Sequence, residues 1–469
     1  MGTTRQVAGA GNLDEPLGSC VVPQLKSFTS KDTTTEWRMM TTTYDPSHPS
    51  YFDEADFRRE LTRVYDICHG CRVCVGLCPS FPSLFDAVDA KDGDAGALSK
   101  LEQDLVVDEC FGCKMCYVKC PYVPPHEWEL DFPRLMLRAK AIKVQHGDQS
   151  IRQRLTDQAL ARTDLVGGLS VALSSFANKA VGTRDSVARQ AMQKTVGISQ
   201  HRLLPPYAKV RFTTWFKNRL RPFIKDRKAK VSVFPTCFIE YMEPGIGKDL
   251  VGVYEHNHVE CSLPDGAKCC GAPWLHQGNV EQFKAQARKN VDILIKDVKM
   301  GKDIVVSQPT CAYVIKKDYP QYLETEDSKE VSAHTYDASE YLIKMHKSGG
   351  GIELDFNGDL VGEVTYHAAC HLQAQNVGLK GRDLIKLTGA KVNVVSKCSG
   401  IDGTWGYRSE NYAASKKLSR ALASKIKNTK YEMLAGECLL ANTAITEETE
   451  EKVFHPIEIL ARAYGLKKE

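Results

Sequence analysis

The chain has no stretch approaching the ~18 consecutive apolar residues that a membrane-spanning helix needs, and residues 1–39 contain no apolar core of the kind a secretory signal carries. Leu17-Gly18-Ser19-Cys20 has the look of a lipoprotein cleavage site without the apolar run that must precede one, so Cys20 reads as a solvated tail cysteine. Met39 or Met40 is an alternative start. Excess charge of one sign is also lacking: 62 Lys+Arg against 58 Asp+Glu leave a net +4. That is too little over 469 residues to suggest a nucleic-acid partner by bulk electrostatics. No strand–Gly-x-Gly-x-x-Gly–helix unit and no phosphate-binding P-loop is present, which excludes the common nucleotide and flavin cradles. Gly349-Gly350-Gly351 follows no strand and reads as linker.

The chain does have 17 cysteines, with 42% hydrophobic and 26% charged residues, a balance that excludes wholesale disorder. At about 150 residues per domain the length predicts two or three domains. A chain this long builds its core without disulfides, and an odd count with no secretory signal points to reduced, cytoplasmic metal ligands.

Eight of the cysteines form two copies of one pattern, Cys68-x2-Cys71-x2-Cys74-x3-Cys78-Pro79 and Cys110-x2-Cys113-x2-Cys116-x3-Cys120-Pro121. This is the spacing of two-cluster bacterial ferredoxins, in which three thiolates of one loop serve one cube and the fourth serves the other. The reading assigns one [4Fe–4S] cluster to Cys68, Cys71, Cys74 and Cys120, and a second to Cys110, Cys113, Cys116 and Cys78. A zinc ribbon would have no use for the third and fourth cysteine of each run. About thirty residues separate the runs. Helical patterns at Phe52–Val64 and Leu98–Leu105 predict a helix-rich ferredoxin-like domain over residues 46–130, behind a polar tail at 1–45. His69 reads as an exposed loop residue.

Residues 131–230 hold no cysteine and read as a helical connecting segment, with helical periodicity at Arg134–Val144, Ser150–Ala161 and Asp185–Lys194 and glycine punctuation at Gly167-Gly168 and Gly182. The segment ends on His201–Lys230, which has ten Lys/Arg and one acid, Asp226, interleaved with Tyr207, Phe212, Trp215, Phe216 and Phe223. Such a stretch docks on an anionic membrane surface or an acidic partner, or else packs its aromatics inward behind a solvated basic face.

Beyond residue 230 one order occurs twice: strand–Cys–helix–strand–Cys(Cys)Gly–helix–strand–Cys. The first copy, 231–346, carries Cys237, Cys269-Cys270-Gly271 and Cys311; the second, 362–469, carries Cys370, Cys398-Ser399-Gly400 and Cys438, with 347–361 as linker. Every one of these cysteines follows a strand, where open α/β sheets gather reactive groups. Cys261 fits no ligand position and reads as a small buried apolar group.

Two ferredoxin runs followed by two such repeats resemble the cysteine-rich CCG-domain family: the C subunit of anaerobic glycerol-3-phosphate dehydrogenase, the iron–sulfur subunit of glycolate oxidase, and the fused C and B subunits of heterodisulfide reductase. The likeness covers about residues 60–466, including Tyr366-His367 and His455-Pro456. It implies a helix-rich two-cluster domain joined to a duplicated α/β domain, an overall α+β and α/β class. It also implies an electron carrier between a flavoprotein dehydrogenase and a quinone or other acceptor, with peripheral membrane contact one option. The family repeat runs Cys…Cys-Cys-Gly…Cys-x-x-Cys. Here Gln308 stands where the last pair of the first copy would begin, and Cys237, Cys269, Cys270 and Cys311 remain for a third cluster or zinc. In the second copy Ser399 and Ala441 replace cysteines; Cys370, Cys398 and Cys438 either bind zinc or iron with His367 or His371, or form a metal-free pseudo-repeat. The alternative to electron transfer is a heterodisulfide-reductase-like enzyme acting on a disulfide or thiol-level substrate at the first site.

Overall fold

The computed structural model describes residues 44–349, 351–401 and 403–467. Cys20 and most of the 1–45 segment lie outside the described residues.

The first part of the chain is helical throughout. Asp53 starts the helix Glu54–Cys71 by accepting the Asp56 N–H, and the helix closes on Arg72 in the left-handed region. His69 lies in the last turn of this helix and not in a loop, half-buried with its ring bonded to Asp89 at 2.8 Å. A capping box, Ser99 with Glu102, opens Lys100–Glu109, and Asp131, Pro133 and Gly147 bracket Phe132–His146. Phe57, Leu61, Val64, Phe81, Leu84, Phe85, Leu135 and Met136 form the core of this part together with Cys110, and Cys68, Cys74, Cys78, Cys116 and Cys120 pack against its rim. Helices at Ile151–Ala161, Thr163–Ala172, Ser174–Gly182 and Val187–Val196 follow. Gly167 and Gly168 therefore sit inside a helix rather than ending one. A Cβ on Gly167 would stand 2.5 Å from the Tyr241 ring, so close packing explains the glycine.

The remainder is two four-stranded sheets, entirely parallel. The first contains β1 (Ala229–Phe234), β2 (Val259–Ser262), β3 (Asp303–Val306) and β4 (Thr335–Asp337) in the order β2-β1-β3-β4. The second contains β5 (Glu363–His367), β6 (Lys391–Val395), β7 (Met433–Gly436) and β8 (Val453–Phe454) in the order β6-β5-β7-β8. The topologies are the same, position for position, so the internal repeat is a duplicated fold. In both, the chain reverses its direction of travel across the sheet beside the first strand, and the crevice beyond the strand ends there is the natural place for a site. Register pairs Val233 with Val305 in one sheet and Tyr366 with Ala435 in the other.

One apolar core serves both repeats, running from Val231, Leu250 and Tyr254 to Tyr366, Leu384 and Ile457. Buried arginines lash the helical segment to its neighbours. Arg138 binds the Tyr51 and Ser50 carbonyls and Asp56. Arg202 binds the Gly406 carbonyl, Glu447 at 3.0 Å and Ser415. The basic stretch is thus of mixed use: Phe212 and Phe216 point inward and Arg219 forks onto Glu255, whereas Leu220 and Phe223 are 98% and 93% exposed.

Candidate redox centres

Both ferredoxin runs bend back on themselves at a left-handed residue between their second and third cysteines, Arg72 (φ 53°) and Lys114 (φ 64°). The bend brings the first three thiols of each run together, and the proline after the last cysteine turns the chain away. One small cavity is walled by Cys68, Cys71, Cys74 and Cys120 with Tyr122 and Leu130. A second is walled by Cys78, Cys110, Cys113 and Cys116 with Phe111 and Phe132. The fourth thiol of each run thus faces the cavity of the other run. Phe81 lines both cavities.

No disulfide links the described cysteines. Burial pushes Cys74 and Cys78 up to about 12, and Cys68, Cys113 and Cys116 go up for the same reason. A thiolate in such a place needs a cation beside it, and the chemistry of four soft sulfur donors around each apolar cavity fits an iron–sulfur group. Among the described residues, no three Cys, His, Asp or Glu side chains close on the volume of a single ion.

In the first repeat, Cys237 follows β1, Cys269 and Cys270 follow β2, and Cys311 follows β3. Cys270 Sγ and Cys311 Sγ are 3.2 Å apart. The Cys237 thiol, hydrogen-bonded to Cys269, holds the Cys269 thiol well below its ordinary value and is itself driven up. Gly271 is required here: its φ of +87° turns the chain into the helix Ala272–His276, and a Cβ would meet Phe283 at 3.0 Å. The backbone of this loop is gripped by Asn290, a fully buried residue that sequence reading did not single out. Its amide receives the Lys268 N–H at 2.9 Å and donates to the Lys268 and Cys269 carbonyls and the Tyr319 hydroxyl. An asparagine on the apolar face of the long helix Val280–Lys299 was the available signal. The Cys269 N–H is held by Asp164 from the helical segment at 3.0 Å.

In the second repeat, Cys370, Cys398 and Cys438 follow β5, β6 and β7 and share a cleft with His367, Lys397, Ile401 and Leu440. Cys113 and Phe111 of the second ferredoxin run form its other side. His367 bonds the Lys397 carbonyl at 2.9 Å. His371 lies against Thr310 of the first repeat and outside the lining of that cleft, with burial and then Lys114 pushing it down to about 3.

Gln308 does not stand as a vacant ligand position. Its Nε2 donates to Cys438 Sγ at 3.3 Å and its Oε1 accepts the Leu439 N–H at 3.1 Å, so the first repeat's substituted position closes over the second repeat's cysteine.

Comparison with known proteins agrees with this anatomy. Residues 231–316 and 364–440 each match the model of a cysteine-rich domain, CCG, and residues 61–146 match the Fer4-like domain of citrate utilization protein B. The C subunit of anaerobic glycerol-3-phosphate dehydrogenase from Escherichia coli (strain K12) is 28% identical over 315 residues, covering 66% of this chain and 78% of that protein. Lactate utilization protein A of Geobacillus thermodenitrificans (strain NG80-2) is 28% identical over 194 residues, 38% and 75% of the two chains. The B subunit of fumarate reductase (CoM/CoB) from Methanothermobacter marburgensis is 25% identical over 255 residues, 50% and 47%.

Proposed function

We propose that this member of the cysteine-rich CCG-domain family, which joins a Fer4-like domain to two CCG domains, is the electron-carrying iron–sulfur subunit of an oxidoreductase complex. It works between a flavin-dependent dehydrogenase and a quinone or other acceptor. The observation that carries this reading is the crossed arrangement of eight thiols around two cavities that share Phe81, with Cys113 opening onto the cleft of Cys370, Cys398 and Cys438. Cys68, Cys71, Cys74 and Cys120 would hold one [4Fe–4S] cluster and Cys78, Cys110, Cys113 and Cys116 the other. Such a cluster takes up and gives back single electrons, at a potential set by its surroundings.

The protein's part is to exclude water, fix the thiols and connect the sites. Phe81, Phe132 and Leu130 keep the cavities apolar. Asn290 and Gly271 fix the first-repeat loop, whose Cys237, Cys269, Cys270 and Cys311 are the ligands of a third cluster in this reading. Relatives named as dehydrogenase and reductase subunits support a carrier that hands electrons between chains. A disulfide reductase at the first repeat is not favoured, because Gln308 replaces a cysteine and its side chain is committed to the other repeat.

For the complex's location we infer peripheral contact with an anionic membrane. Among the described residues no helix is long and apolar enough to cross one. Support for surface contact comes from Leu220 and Phe223, which stand in solvent beside exposed Arg221 and Lys225.

Anaerobic purification with iron analysis and EPR tests the central reading. Two cubes give about eight iron atoms per chain and a third about twelve. Cys113→Ser should lower iron content and broaden or remove one EPR signal. Wild-type iron and spectra in that variant would reject its ligand role. Reduction by a flavoprotein followed by reoxidation with a quinone tests the direction of use.

A further inference from the structure

The two repeats share a fold but use their substituted cysteine positions in opposite ways. In the first, Gln308 fills its place and binds Cys438 and the Leu439 N–H of the second. In the second, the substituting residues are Ser399 and Ala441, and both line the cleft of Cys370, Cys398 and Cys438. Neither offers a soft donor to a metal. The second copy thus has an open recess where the family pattern places ligands.

Leu77, Phe111, Ile401, Leu418 and Leu440 give this recess apolar walls. The charged residues that line it are Lys119, Lys397 and Lys425, all at exposed positions, and no Asp or Glu lines it. An apolar pocket with cations and no carboxylate suits a ligand that enters neutral and gains negative charge there. Leu77, Phe111 and Cys113 also wall the cavity of the second ferredoxin-type site, so one layer of side chains separates the two. The cavity of Cys68, Cys71, Cys74 and Cys120 shares no lining residue with the recess.

We propose that the recess seats the head group of a quinone, and that the group held by Cys78, Cys110, Cys113 and Cys116 is its electron donor. The quinone takes two electrons from that group, one at a time, and two protons from water, and leaves as hydroquinone. The flavoprotein partner replaces the electrons. Cys370, Cys398 and Cys438 are wall residues in this assignment and hold no metal. The inference rests on the reading that the chain carries electrons on two iron–sulfur clusters.

The test uses the whole chain, purified anaerobically, reduced with dithionite and freed of excess reductant. It is mixed with menadione, and the return of cluster absorbance is followed by stopped flow. Ser399→Trp fills the recess and should raise the half-saturating menadione concentration about tenfold or more, a loss of at least one pocket contact's worth of affinity. Its iron content, its EPR signals and its reoxidation by ferricyanide, which needs no pocket, should stay as in the wild type. If Ser399→Trp fails to take up iron, Lys397→Glu combined with Lys425→Glu decides. That variant should slow reoxidation at saturating menadione, because the charge gained by the quinone no longer meets cations. Wild-type behaviour of both variants, with full iron content, would overturn the inference. So would zinc or iron that is lost in Cys398→Ser while both ferredoxin-type signals persist, and so would wild-type clusters that ferricyanide reoxidises and menadione does not. A wild-type protein without iron would instead overturn the underlying reading.

Discussion

Asn290 shows how much a single buried amide can carry. It satisfies four groups at once in and around the loop that presents Cys269 and Cys270. Asn290→Ala should cost about 2–4 kcal/mol of stability, the usual penalty for stranding several buried polar groups. It should also lower iron content if the loop holds a cluster. Denaturation midpoints and iron analysis check both; a near-neutral effect would mean that the loop is held elsewhere. At this scale the cysteine spacing was the legible part, because ligand chemistry needs particular residue types at fixed intervals. Asn290 and Gln308 were not legible as partners, since their meaning comes from Tyr319 and Cys438, each distant in sequence.

Among the elements, the closing helix Pro456–Ala463 depends on an unusual cap. His455 Nδ1 accepts the Ile457 N–H, and its Nε2 faces the Ser307 carbonyl at 3.1 Å across the repeats. Burial pushes His455 from 6.5 down to about 4. In the unfolded chain the ring takes a proton near its ordinary value, while in the folded chain it stays neutral until about pH 4. Stability therefore falls as pH drops from about 6.5 to 4, by up to about 3 kcal/mol from this one group. His455→Asn retains a capping side chain and should flatten that part of the pH profile. An unchanged slope in denaturation midpoints between pH 7 and 4.5 would contradict the assignment. The strands that end at cysteines were readable from short apolar runs, as were the helices Val280–Lys299 and Tyr412–Lys427 from their periodicity. The short strands β4 and β8 were not, with three and two residues. The helices Thr163–Ala172 and Ser174–Gly182 were also missed, because their glycines look like breaks until Tyr241 is seen packed against Gly167.

For the whole molecule, the basic aromatic stretch divides its labour. Arg202 and Arg219 serve internal carboxylates, while Leu220 and Phe223 face solvent. Their burial in a lipid surface would be worth roughly 1.5–3 kcal/mol per side chain. Replacing both Leu220 and Phe223 with Ser should therefore weaken binding to phosphatidylserine-containing vesicles about tenfold or more in a flotation assay, with little change in iron content. Equal flotation of the two proteins would remove this face from consideration. Composition alone left this segment undecided between a docking surface and a packed helix, because burial is decided by partners outside it.

The apolar core that runs unbroken through both repeats has a further consequence. The helix Pro244–His256 of the first repeat rests on Pro456–Ala463 of the second, and Tyr464 donates to the Glu353 carbonyl in the stretch between them. Cleaving the backbone near Gly351 would therefore sever a tether without freeing a part: the halves stay clasped and melt in a single step. The two copies of the duplicated fold are an obligate pair, each completing the other's core.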